Sequence, residues 1–276
     1  MIGNIKKMQA VLGDAESGQP VQYQLPIGGE LLPMNEYIGQ TIKLNYQNEI
    51  HCVACGRKTN KSFAQGHCFP CFRSLASCDM CIMKPETCHF SEGTCREPTW
   101  GETNCFIPHY VYLANSSGIK VGITRGTQIP TRWIDQGAGQ ALPIFRVANR
   151  LQSCLLEVVL KQHVSDRTDW RKMLKFDAEP LDLKEIRDEL LVKCESEISN
   201  IRSEQGDAAL EAIDEDVVEI KFPVSEYPEK VKSLNFDKQP EIEGTLKGIK
   251  GQYLILDTGV LNIRKFSGYN IEVNFV

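Results

Sequence analysis

The chain has 276 residues, with 31 Lys+Arg against 36 Asp+Glu, a formal net charge of -5. Hydrophobic residues make up 42% and charged residues 24%, as in folded chains, and the length suits one large or two to three small domains. No stretch approaches the ~18 uninterrupted apolar residues of a membrane helix, and no N-terminal segment reads as a signal peptide. The expectation is a cytoplasmic protein with no membrane segment.

Residues 1–50 alternate apolar and polar side chains in short runs with glycine between them, as in Val21-Gln-Tyr-Gln-Leu25 and Thr41-Ile-Lys-Leu-Asn-Tyr46. That is strand periodicity with turn punctuation. The last segment, 236–276, repeats the style in Ile242-Glu-Gly-Thr-Leu246, Tyr253-Leu-Ile-Leu256, Val260-Leu-Asn-Ile-Arg264 and Tyr269-Asn-Ile-Glu-Val-Asn-Phe275. Asp257-Thr-Gly259 reads as a hairpin turn. Each end piece is too small to fold alone without metal or disulfides, so the two are expected to pair into one β-sheet or barrel.

Between Cys52 and Cys105 lie nine of the chain's 11 cysteines. An odd count, an internal position and no secretion signal argue against a disulfide framework. Two-residue gaps recur instead, at Cys52/Cys55, Cys68/Cys71 and Cys78/Cys81. Such bends aim two sulfurs at one tetrahedral ion. Residues 51–105 therefore read as two Cys-rich zinc modules. The first takes Cys52, Cys55, Cys68 and Cys71. The second takes Cys78, Cys81, Cys88 and Cys95, with Cys105 as a substitute for either of the last two and His89 and His109 nearby. Closed sites of four thiolates are structural, with no open position for chemistry. The segment from Cys71 suits a short helix, as in treble-clef modules. Lys58, Lys61 and Arg73, with Phe63, Phe69 and Phe72 among them, suit nucleic-acid binding by charge and stacking. Core packing around the metal is the competing reading for the phenylalanines. Cys154 and Cys194 sit alone and read as small buried hydrophobes.

Segment 106–180 begins as a hairpin: His109-Tyr-Val-Tyr-Leu-Ala114, a Ser-Ser-Gly turn, then Ile119-Lys-Val-Gly-Ile-Thr-Arg125. Thr131-Arg-Trp-Ile134, a strand from Leu142 and a helix from Leu151 to His163 follow. That helix is apolar on two sides, so Glu157 on it is costly unless paired or holding a cation. His163 reads as structural. Charge is uneven: residues 51–150 carry 11 Lys+Arg and 6 Asp+Glu, whereas residues 181–230 carry 6 and 15. The acidic region, 181–235, has helical spacing at Ile186, Leu190, Leu191, Cys194, Ile198 and Ile201. It reads as a mostly solvated amphipathic helix, or else as an electrostatic lid on the basic middle.

The hairpin and helix resemble the GIY-YIG nuclease superfamily, in its compact phage-type branch. Tyr110-Val-Tyr112 stands where GIY is expected and Lys120-Val-Gly122 where YIG is expected. The whole architecture also looks like an uncharacterised bacterial family with cysteine-rich zinc modules ahead of such a domain. The resemblance spans roughly 106–170 and implies a small α/β domain within an α+β chain. It places the family's catalytic Arg on Arg132, its metal-binding Glu on Glu157 and its first-motif tyrosine on Tyr112. What it implies is Mg2+-dependent phosphodiester hydrolysis on DNA or RNA. Lys120 departs from the pattern, standing in place of the second-motif tyrosine. An ammonium is a phosphate binder before it is a base, unless it is buried beside other cations. Lys120, Arg125 and Arg132 together read as a phosphate-contacting cluster. Two alternatives stand beside the enzyme: an inactive nucleic-acid-binding or adaptor protein, and a protein-interaction module using the acidic helix.

Overall fold

Most of the period-2 runs at the two ends of the chain pair into one antiparallel sheet. The computed structural model describes residues 1–14, 17–206 and 209–275. Thr41–His51 is central, flanked by Tyr269–Phe275 on one side and Glu241–Lys250 on the other. Ile2–Asn4 extends one edge; Tyr253–Leu256 and Gly259–Asn262 extend the other, joined by the two-residue turn Asp257-Thr258. Alternation puts Ile42, Leu44, Ile242, Leu246, Ile271 and Val273 on one buried face. A three-stranded sheet of Gln9–Val11, Gln22–Ile27 and Glu30–Pro33 adds Tyr23, Leu25 and Ile27 to the same core. Its tight hairpin needs positive φ at both turn positions, which Gly28 (+61°) and Gly29 (+95°) supply.

A second antiparallel sheet holds the middle of the chain. His109–Asn115 lies between Ile119–Arg125 and Gln140–Val147. Val111 and Leu113 face the helices Arg150–Leu160, Leu183–Lys193 and Glu195–Gln205, which contribute Leu156, Leu160, Leu190 and Ile198. Tyr112 and Ala114 face the other way, joining the core of the terminal sheet together with Trp133 and Ile134 of the helix Thr131–Asp135. Asp135 fastens that helix to the terminal sheet: it pairs with Lys7 and accepts from Gln252 Nε2 at 2.9 Å. Buried Lys250 ties in the following segment, donating to the Phe176 carbonyl and the Asp177 carboxylate at 3.0 Å each. The chain is α+β. Among the described residues no helix is long and apolar enough to cross a membrane.

The acidic stretch, expected as one mostly solvated amphipathic helix, is divided. It breaks at Cys194 into two helices, and Leu183, Leu190, Cys194, Ile198 and Ile201 are all buried. Beyond them, Leu210–Ala212 and Val218–Glu219 pair with Gln140–Val147. The stretch is thus half of the cover and part of the edge of the sheet that 106–180 begins. Its charge is answered partly from within, at Lys184–Asp216 (2.9 Å) and Arg187–Asp214 (2.6 Å). Arg146–Glu211 (3.1 Å) reaches the basic middle, at a solvated edge.

Candidate functional site

The first cysteine set forms because two turns meet. Cys52 ends the long strand Thr41–His51, and Gly56 at φ +71° turns the chain so that Lys58–Thr59 pairs back on Ile50 and His51. Cys68 is the N-cap of the helix Phe69–Ser74, which puts Cys71 in its first turn. The sulfurs of Cys52, Cys55, Cys68 and Cys71 all lie within 4.8 Å of one another, with Cys55 and Cys68 3.8 Å apart. A zinc ion with bonds of about 2.3 Å sets tetrahedral sulfurs roughly 3.8 Å apart. The group can hold a metal ion. Burial raises the Cys52 thiol, but N–H groups of Cys68, Cys55 and Ala54 outweigh it and bring it down to about 6, the polarity a metal thiolate requires.

Around this set the phenylalanines cluster, Phe63 lying 5.4 Å from Phe69 and 5.6 Å from Phe72. Lys61 stands over Phe63 and Arg73 over Phe69, which is 51% exposed, so the cluster is both packing and surface. Lys58 is taken up by Glu49 at 2.5 Å.

The second set is not arranged as its spacing predicts. Cys78 lies apart, with Ser77, Arg96, Cys52 and Glu97 as its electrostatic neighbours. Cys81 instead feels Asp79, Cys88, Cys105 and Cys95, and these with burial push it up to about 11. Cys105 in turn feels Cys88 and Cys95. Cys105 thus lies with Cys81, Cys88 and Cys95 around one small void, which Cys78 does not line. Asp79, Cys81 and His89 also lie within metal-binding reach of one another. The Asp79 carboxylate is already held by Arg96 Nε at 2.8 Å and capped onto Met80 N at 2.6 Å. His109 is buried at the start of its strand with Nδ1 on the Ile107 carbonyl at 2.7 Å. Cys154 and Cys194 are buried, as expected, and His163 is exposed.

The hairpin brings its predicted residues together. Tyr112 pairs across the strands with Gly122, and Ala114 with Lys120. Tyr112 Oη donates to Gln136 Oε1 at 2.9 Å, and Lys120 Nζ donates to the same oxygen at 2.5 Å. Arg132, one helical turn before Gln136, lies close enough for its guanidinium to act on the Tyr112 hydroxyl. Glu157 reaches in from the helix Arg150–Leu160, close enough to act on both Tyr112 and Lys120. Burial, then the Arg132 guanidinium, bring Lys120 down to about 7; only 3% of it is exposed. Burial, then Asp166, raise Glu157. Asp166 arrives because Val121 N donates to the Ser165 carbonyl at 2.8 Å, docking the post-helix segment on the strand edge. Arg125 bonds Asn104, and Arg150, which feels both Arg125 and Arg132, donates to the Ile82 carbonyl at 2.6 Å. Sequence reasoning missed Gln136 and Asp166. The first carried a signal, being four residues after Arg132; the second carried none.

Gly122 is where it is because the Tyr112 ring lies across it. A Cβ there would sit 2.6 Å from the phenol oxygen, and Tyr112 is fully buried with nowhere to go. Gly122→Ala is therefore expected to cost about 2 kcal/mol, as overpacked cores do. A urea midpoint equal to wild type would show that the ring moves aside freely.

The helix that carries Glu157 is pinned to the second cysteine module at its start. Arg150 N donates to the Cys105 carbonyl at 2.8 Å, and Cys154 Sγ lies 3.4 Å from the Glu86 carboxylate.

No curated protein and no solved structure matches the chain. A family profile described as protein of unknown function (DUF2797) matches residues 39–271, from the long central strand of the terminal sheet through both cysteine sets and the hairpin to Tyr269–Phe275. With that span covered, the chain belongs to the DUF2797 family.

Proposed function

We propose that the chain is a zinc-stabilised, Mg2+-dependent phosphodiesterase acting on nucleic acid through a GIY-YIG-like hairpin. The observation that carries this reading is the meeting of Tyr112 and Lys120 at Gln136, with Arg132 and Glu157 near enough for their charges to act on both. Zinc at Cys52, Cys55, Cys68 and Cys71 is supported by the number, type and spacing of the donors. A half-buried carboxylate whose strongest charged neighbour is Asp166 suits a divalent cation, which makes Glu157 the Mg2+ ligand. Mg2+ bound there supplies positive charge for the leaving oxygen.

The chain's own residues do the rest. Arg132 binds a non-bridging phosphoryl oxygen. Lys120 is buried beside another cation, the one setting in which a lysine serves as a base near neutral pH. It takes the proton of the attacking water as the new O–P bond forms and the ester O–P bond breaks. Tyr112 keeps its proton, since burial raises it, and orients the water together with Gln136. Arg125, Arg150 and Arg132 give the backbone of a nucleic acid a cationic approach, and Lys61 and Arg73 with their phenylalanines extend it. A cytoplasmic location would keep the clustered cysteines in the reduced form that metal ligation requires.

A nicking assay with Mg2+ tests this. Arg132→Ala and Glu157→Ala are each expected to lower cleavage roughly 100-fold or more; equal cleavage by all three proteins ends the assignment. Binding without hydrolysis is the second reading, favoured by the use of both Tyr112 and Lys120 on Gln136. Salt-dependent retention on nucleic acid without nicking would select it.

A further inference from the structure

We propose that Cys81, Cys88, Cys95 and Cys105 ligate an iron–sulfur cluster of the [4Fe–4S] type, leaving zinc to the first cysteine set alone. Four thiolates are the usual ligand complement of such a cluster, each on its own iron. A cluster therefore holds its cysteine sulfurs further apart than a single ion does. The two sets of this chain differ in that respect. Cys52, Cys55, Cys68 and Cys71 close to within 4.8 Å of one another, the spacing of one tetrahedral ion; Cys81, Cys88, Cys95 and Cys105 do not. They stand instead around space. A cavity of about 200 Å³ is lined by Cys81, Cys88 and Cys105 with Pro85, Phe90 and Phe106. A smaller void of about 20 Å³ adjoins it, touching all four cysteines.

The walls suit the same occupant. Phe90 and Phe106 meet at a tilt with ring centroids 4.5 Å apart, and Trp100 lines the smaller void, which gives the low-polarity surroundings such clusters favour. Arg150 stands at the rim of the larger cavity with its Nε buried and unpartnered, a cation available to a cluster whose thiolates make the site anionic. The alternative ligand trio, Asp79, Cys81 and His89, has its carboxylate already engaged by Arg96 and the Met80 amide.

The test uses the full chain, purified without oxygen and reconstituted with ferrous iron and inorganic sulfide. The expected result is about four iron and about four acid-labile sulfide per chain, a visible charge-transfer band, and one zinc retained. Dithionite is expected to bleach the band and give the paramagnetic signal of a reduced cluster. Cys88→Ser and Cys95→Ser should each lose iron while keeping zinc. Cys78→Ser should keep both, because Cys78 lines neither void. That variant also distinguishes ligation from folding, since it carries the same substitution in the same module. Two zinc per chain with no iron after anaerobic reconstitution, or loss of iron in Cys78→Ser equal to that in Cys88→Ser, would overturn the proposal.

Discussion

Cys68→Ser is expected to release the metal of the first set and unfold the segment from Cys52 to Ser74. Little else holds that segment: its two-residue strand and six-residue helix are short, and its phenylalanine cluster is half exposed. Structural zinc contributes about 10–16 kcal/mol to the folding of comparable modules, against about 5–15 kcal/mol for the whole stability of a typical domain. Amide exchange at Lys58–Thr59 and Phe69–Ser74 should become that of an unstructured peptide. The terminal sheet should stay protected, because its core of Ile42, Leu44, Ile271 and Val273 does not depend on the cysteines. Full protection of the segment in the variant, or in chelator-treated wild type, would exclude a metal there.

Lys120→Met is expected to stabilise the protein at neutral pH while abolishing nicking. The lysine is held at about 7 in the folded chain, below its unfolded value of about 10.4. A depressed lysine is a penalty on folding that is fully present below pH 7. It fades as pH rises through the window from about 7 to about 10.4, where only the unfolded chain holds the proton. The whole window corresponds to about 5 kcal/mol, and the interval from pH 7 to pH 9 to roughly 3 kcal/mol. Wild type should therefore gain stability as pH is raised from 7 to 9, and Lys120→Met should lose that slope. Gln136 keeps the Tyr112 hydroxyl as donor, so the substitution strands no acceptor. Identical slopes in the two proteins would mean that Lys120 stays charged in the fold. Functional groups that cost stability are expected where chemistry needs them.

Much of the fold was legible because its signals are local. Alternation identifies a half-buried strand, and Ser-Ser-Gly and Asp-Thr-Gly mark their turns. The pairing of the two ends followed from size alone. The apolar stripe through Leu190, Cys194, Ile198 and Ile201 marks the buried face of the acidic helices, as helical spacing implies. The break at Cys194 and the strands beyond it are tertiary effects, set by the open edge of Gln140–Val147.

The cysteines separate these cases more sharply, since one spacing has two outcomes. Cys68 is an N-cap and Cys71 the third helical residue, positions that face each other across the first turn. Cys78 and Cys81 have the same gap but a different register, for here Asp79 is the N-cap and its carboxylate holds the Met80 amide. Cys78 is left before the helix, with Arg96, Cys52 and Glu97 among its charged neighbours, while Cys81 sits within it among Cys88, Cys105 and Cys95. Spacing counts residues; capping decides where the sulfurs go.

The pinning of Arg150 has a geometric sequel. From Arg150 to Glu157 is seven residues, about 10 Å of helix along a rigid axis. With the near end clasped by the Cys105 and Ile82 carbonyls, the helix works as a pointer whose tip is a carboxylate. Tilting its base by a few degrees moves the tip by a good fraction of an ångström, enough to detune a hydrolytic site. On the proposed reading, loading of the second cysteine module would set the aim of Glu157, and the unloaded protein would keep its fold with the carboxylate displaced.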